Sequence, residues 1–179
     1  MKFYRLRQTY KQKLNKHAFS LLELTIVLAI IIIVATISIP LFFNFKEQHL
    51  IAEASTLRAT LWHLQQMARA QNKQKLLTFD ELKNSYSTDN EKHKLSRHVK
   101  FGTLKNVLGP PSSPNKQLKK AITFKDKKIT VTPHGILQPG TIYLIDDTEK
   151  FLYAITVPVA GVSYIRIYRY HNKQWHAYT

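Results

Sequence analysis

Between Leu24 and Phe43 the chain carries no charged residue for 20 positions (LTIVLAIIIIVATISIPLFF), and no other feature narrows its possible folds as far. At about 1.5 Å per residue a helix of that length measures about 30 Å, the thickness of a bilayer's hydrocarbon core. The run therefore predicts a transmembrane helix. A fully buried helix of a soluble protein is the alternative, although such helices seldom go so long without a charge. Thr25, Thr36 and Ser38 can hydrogen-bond to their own backbone and so tolerate an apolar setting. Lys2, Arg5, Arg7, Lys11, Lys13 and Lys16 precede the run and only Lys46 and Glu47 closely follow it, which predicts a cytoplasmic amino terminus. A secretory signal peptide fits poorly, because its apolar stretch is about 7–15 residues long and is followed by a small-residue cleavage site. Here the small residue, Ala18, stands before the run, so a cut there leaves the apolar helix on the mature chain.

Beyond Pro40, which should kink or locally open the helix, the apolar pattern thins but keeps its period. Leu50, Ala54, Leu57, Leu61, Leu64 and Ala68 follow one another at alternating steps of four and three, while Glu53, Arg58, Gln65, Gln66 and Arg69 occupy other faces. No Gly or Pro interrupts the chain from Leu41 to Phe79. A single helix over residues 19–72 is expected, its second half amphipathic and lying against a sheet; a free helix or a coiled-coil dimer is the alternative.

Residues 80–120 are polar and turn-prone, and Leu108-Gly-Pro-Pro-Ser-Ser-Pro-Asn reads as loop because three prolines forbid regular pairing. Val99 to Val107 has room for one short strand. From Ala121 the pattern turns to short β-branched runs, with strands expected at 121–124, 128–132, 141–145, 151–157 and 163–170. Asp126-Lys127, Pro133-His134-Gly135 and Gln138-Pro139-Gly140 supply the turns. Connections this short make neighbouring strands mostly antiparallel. The expected organisation is a basic leader at 1–18, a transmembrane helix at 19–45 and its amphipathic continuation at 46–73. A polar loop region at 74–120 and an antiparallel β domain at 121–179 follow.

The stretch Lys16-His-Ala-Phe-Ser-Leu-Leu-Glu-Leu-Thr-Ile-Val-Leu-Ala-Ile, continued to Pro40, resembles the amino-terminal signature of type IV prepilins and type II secretion pseudopilins. The resemblance implies removal of the leader by a prepilin peptidase between Ala18 and Phe19, with N-methylation of Phe19. Glu23, near the amino end of the helix, would need a partner inside a packed filament, and the freed amino terminus of a neighbouring subunit suits it; a carboxylate at the lipid interface without a partner is the alternative. The family has glycine where this chain has Ala18. Farther on, Met67-Ala-Arg-Ala70, Ile122-Thr-Phe, Thr132-Pro-His-Gly135, Gly140-Thr-Ile-Tyr-Leu and Gly161 resemble the H-type minor pseudopilins and the minor pilins used for DNA uptake. The implied fold is α+β and pilin-like, a long N-terminal transmembrane/filament helix packed on a small antiparallel sheet. Implied partners are the prepilin peptidase, other pilins or pseudopilins, the inner-membrane assembly platform and membrane lipid. The implied location is the bacterial inner membrane, single-pass, with the C-terminal domain in the periplasm and the subunit incorporated into a filament.

The formal net charge of +16 adds a pull towards polyanions. The DNA-uptake members carry Gly-Arg-x-Arg where this chain has Gly161-Val-Ser-Tyr164, so both arginines are lost. On the last expected strand Tyr164, Arg166, Tyr168 and Tyr170 share one face, and an exposed cationic and aromatic row could contact DNA by holding phosphates and stacking bases. An ordinary solvated strand face is the plainer alternative. No catalytic set emerges: cysteine is absent, the 8 histidines lack metal-ligand spacing, and no HExxH, phosphate loop or nucleophile elbow occurs. No enzyme activity, metal or cofactor is expected. The sequence points to a structural minor pseudopilin or pilin subunit serving filament assembly and protein export, with a DNA-binding minor pilin as the alternative.

Overall fold

The structure is a computed structural model that describes residues 20–89, 91–111, 114–158 and 164–178; for 37–44 it describes the backbone alone. The chain divides after Phe42 into two compact units. A single helix, α1 (Leu21–Gln71), is the only α-helix among the described residues. Its C-terminal end is closed by Asn72 in the left-handed region (φ 49), with Asn72 N–H donating to Arg69 O and Lys73 N–H to Ala68 O. That pair of bonds satisfies carbonyls that the last turn leaves open.

The second unit holds two antiparallel sheets. The first contains β1 (Lys75–Asp80), β2 (Ser85–Ser87), β3 (Lys92–Lys94) and β5 (Lys128–Val131), in the order β3-β2-β1-β5. The second contains β4 (Val99–Phe101), β6 (Gly140–Asp146), β7 (Leu152–Val157), β8 (Arg166–His171) and β9 (Gln174–Tyr178), in the order β4-β6-β7-β8-β9. Among the described residues all seven strand pairings are antiparallel.

The core follows from the helical stripe. Leu50, Ala54, Leu57, Leu61, Leu64 and Ala68 are all buried and join one cluster with Leu77, Ile129, Val131, Ile142, Leu144, Tyr153 and Ile155 from both sheets. Each such aliphatic side chain contributes about 1.5–3 kcal/mol through the apolar surface it removes from water. A second cluster fills the opposite face of the second sheet: Tyr143, Ile145, Leu152, Ala154 and Tyr168 lie under Leu104, Val107 and Leu118, with Tyr170 and Trp175 against its edge. Trp175 Nε1 donates to Leu108 O at 2.9 Å, and Leu118 N–H to Val107 O at 3.0 Å, so the segment after β4 is fastened down as a cover. Both faces of β6 and β7 are therefore buried, which is why they read as continuous apolar runs without alternation. Burial pushes the Tyr143 hydroxyl up to about 12.

Polar side chains of α1 fix its register against the sheets. Glu53 accepts Ser96 N–H at 2.8 Å and faces His93 Nε2 at 3.0 Å. Gln65 Nε2 donates to Gly135 O at 2.9 Å, and Arg69 Nε to His134 O at 3.0 Å. Gly135 has φ +74, and a Cβ there would run into the Arg69 guanidinium, so this turn requires glycine on both counts.

Several expectations are corrected. Among the described residues no helix is long and apolar enough to cross a membrane. The transmembrane helix expected at 19–45 is withdrawn, and with it the pilin-like fold built on a transmembrane/filament helix and a single sheet. The membrane and inner-membrane assignments, with a cytoplasmic amino terminus and periplasmic domain, fall for the same reason. There are two sheets rather than one, and 74–120 is not loop throughout, since β1 to β4 lie within it. Residues 121–124 form no strand; Ile122 makes an isolated bridge to Ile142. β9 was not foreseen.

Candidate functional site

Two regions carry the residues that the sequence singles out. The first is the start of α1. Glu23 lies exposed in its first turn, where a carboxylate interacts favourably with the partial positive charge of the open backbone N–H groups. Every large apolar residue from Leu21 to Val34 is exposed, between 44 and 81 %. The hydroxyls in this stretch are already satisfied: Thr25 Oγ1 donates to Leu22 O at 2.7 Å and Thr36 Oγ1 to Ile33 O at 2.8 Å. The segment is apolar on all sides and leaves no side-chain donor unmet within it, which is the composition of a helix that other apolar surface covers. Ala18 and Phe19, and the bond between them, lie outside the described residues.

The second region is β8 and its approach. Tyr164 and Arg166 are exposed, with the Arg166 guanidinium 4.7 Å from the Tyr164 ring centroid. A weak hydrogen bond at 3.5 Å from Arg166 to the Tyr168 hydroxyl raises the arginine's pKa further above its ordinary value. The rest of the expected row is not available. Tyr168 is 6 % exposed inside the second cluster, and half-buried Tyr170 packs on Trp175 with ring centroids 5.1 Å apart. Arg166, Tyr168 and Tyr170 alternate along β8, which begins at Arg166 and leaves Tyr164 outside the strand, and Tyr168 is taken into the second cluster. Sequence parity identifies the face and is silent on what lies over it.

Near the end of β7, a groove of about 710 Å³ is bordered by Lys116, Lys119 and Lys120 together with Val157 and Pro158. None of these lysines makes an ion pair among the described residues, whereas Lys127 is neutralised by Glu81 at 3.2 Å. In the β7–β8 pairing Arg166 stands opposite Thr156, one residue before the groove's Val157.

The titratable groups packed between α1 and the second sheet have structural partners. Lys46 Nζ and His98 Nδ1 meet Asp147 at 2.8 and 3.0 Å, and hydrogen bonds from Lys46 and then His98 hold this carboxyl down at about 2. Glu47 accepts the Tyr153 hydroxyl at 2.9 Å and pairs with Arg169 at 2.6 Å. Among the described residues no group of three or more His, Asp or Glu is placed to hold a metal ion. Comparison of the chain with protein-family models, curated proteins and solved structures found no match.

Proposed function

We propose that this chain is a structural subunit of an assembly of the type IV pilus or type II secretion kind, recruited by covering the exposed apolar start of α1 with apolar surface of another copy. The observation that carries the reading is the uncovered apolar surface from Leu21 to Val34, far more continuous than a lone chain in water ordinarily keeps. Glu23 at the end of that segment is a suitable mate for a cationic group on a neighbour, since a carboxylate drawn into such a bundle needs a partner. The part is scaffolding rather than catalysis.

Because the chain has no cysteine, single cysteines can be placed one at a time from Leu24 to Val34 in the full-length protein. Ordered helix packing gives disulfide cross-links whose yield rises and falls about every 3.6 residues. Uniform yields along the segment, or a chain that remains monomeric, would falsify the proposal.

A second reading, contact with nucleic acid, is favoured by the exposed Tyr164–Arg166 pair and by the lysine-bordered groove. Full-length protein should then bind duplex DNA with an affinity that falls steeply with salt. Arg166→Gln should lower the salt slope by about one, whereas Tyr168→Phe, which keeps the charge and loses only a weak bond to Arg166, should leave the slope unchanged. Equal DNA affinity at low and high salt removes this reading.

A further inference from the structure

The two outer strands of the first sheet build a second basic site, away from β8. In the β2–β3 pairing, Ser85 stands opposite Lys94 and Ser87 opposite Lys92, so both lysines lie on the face that carries Ser85. Tyr86 and His93, paired between them, belong to the other face, where His93 meets Glu53 of α1. The chain after β3 folds over the lysine face and brings Arg97 to it. Together these residues line a cleft of about 450 Å³, within the usual range of small-ligand sites.

Two independent features of this cleft point to an anion. The first is charge: among the described residues Lys92, Lys94 and Arg97 line it without an ion pair, no Asp or Glu lines it, and of its cations only Lys83 is answered, by Asp80 at 3.6 Å. The second is an unmet hydrogen-bonding demand. Ser85, 2 % exposed, and Ser96 both line the cleft, and each has a buried Oγ without a partner. A buried hydroxyl left unpaired costs about 1–3 kcal/mol, so it is seldom kept without a partner of some kind. An oxyanion in the cleft would answer the three cations at once and would accept from these hydroxyls once the serine side chains turn towards it.

We propose that this cleft binds a phosphomonoester group. A monoester is close to a dianion at neutral pH and concentrates its charge on one tetrahedral group. It matches three cations in a small volume better than a nucleic-acid backbone, whose charge is spread along its length. Leu82, 97 % exposed and also lining the cleft, offers apolar surface to the carbon skeleton of an ester. The site is independent of the filament reading.

Titration calorimetry of the full-length protein at low salt with glycerol 3-phosphate, and separately with inorganic phosphate, tests the assignment. Ser85→Ala should weaken glycerol 3-phosphate about tenfold by removing one charge-assisted bond. It should leave the unfolding midpoint unchanged or raised, since no bond is lost in the free protein. Lys94→Met should weaken binding at least as much. Tighter binding of the ester than of inorganic phosphate, reversed by Leu82→Ser, identifies an esterified ligand; equal binding of the two identifies the phosphate group alone as what is recognised. The proposal is overturned if neither probe binds, or if both substitutions leave binding intact. It is also overturned if an oligonucleotide without a terminal phosphate competes as well as the ester does, or if Ser85→Ala lowers the midpoint without touching affinity.

Discussion

Asp146→Ala lowers the stability of the unit that begins at Phe43 by about 3 kcal/mol, and its thermal midpoint by roughly 10 °C. Asp146 ends β6 and is fully buried, yet its carboxylate serves the whole β6–β7 hairpin turn. Oδ1 accepts Lys150 N–H and Phe151 N–H, both at 2.8 Å, while Oδ2 accepts Thr148 N–H at 3.1 Å and the Thr148 hydroxyl. Alanine strands these donors. The figure is well below the sum of four charge-assisted bonds because Thr148 and Lys150 are exposed and water can reach part of the turn. Asp146→Asn should cost less, about 1–2 kcal/mol, since an amide oxygen can keep the Oδ1 bonds but its NH2 opposes the Thr148 donor.

The same residue predicts an acid limb. Burial alone would raise the Asp146 pKa, but the bonds from Thr148, Phe151 and Lys150 outweigh it and hold the group below the ordinary carboxylate value. A depressed folded-state pKa contributes stability that is complete above the unfolded value, near pH 4, and is lost as pH falls through the folded value. Asp147, held at about 2, titrates with the same sign. Chemical denaturation from pH 5 down to pH 2 should therefore show falling stability, with a shallower slope in Asp146→Asn. An identical slope in the variant would reassign the limb to other carboxylates.

The helical stripe from Leu50 to Ala68 is legible because burial imposes a period, and each of its residues lies in the core. The turn at Pro133-His134-Gly135 is legible because only glycine suits its backbone. Of the first sheet, β5 is legible at 128–132, but β1, β2 and β3 are harder to see. β3 is Lys92-His-Lys94, a sequence with no apolar face; it is held by pairing with β2 and by Glu53 reaching His93, a contact 40 positions away. β9 is hidden for a different reason. Asn172 and Lys173 both adopt positive φ, 50 and 62, the geometry of a two-residue hairpin turn. Lysine in place of the usual glycine conceals the signal. The outer face of β8 shows the remaining limit: its residue types and parity are readable, but the cover formed by Leu104, Val107 and Leu118 is a tertiary event. The phosphate cleft lies deeper still, because Ser85 and Ser96 look like ordinary polar residues until their burial is known.

Glu47→Ala should destabilise the same unit by about 2–3 kcal/mol, nearly as much as the loss of Asp146. Glu47 is mostly buried, its side chain 13 % exposed, and one oxygen takes both the Arg169 guanidinium at 2.6 Å and the Tyr153 hydroxyl at 2.9 Å. Burial, and then the Glu47 carboxylate, push the Tyr153 hydroxyl well above the ordinary tyrosine value, so the ring remains a neutral donor. Removing the carboxylate leaves a cation and a fully buried phenol facing each other without an acceptor. Breaking a buried pair in this way costs about 3–5 kcal/mol, discounted here because Arg169 is one-third exposed and can be rehydrated. The pair itself contributes less than its deletion suggests, since its desolvation offsets much of the attraction. Glu47→Leu combined with Arg169→Met and Tyr153→Phe, an apolar replacement of similar volume, should therefore recover most of the loss. Urea denaturation of the single and triple variants decides between these views. If the triple variant is less stable than Glu47→Ala alone, the cluster stabilises the fold outright; if it regains the wild-type midpoint, Glu47 serves chiefly to fix the register of α1 against β7 and β8.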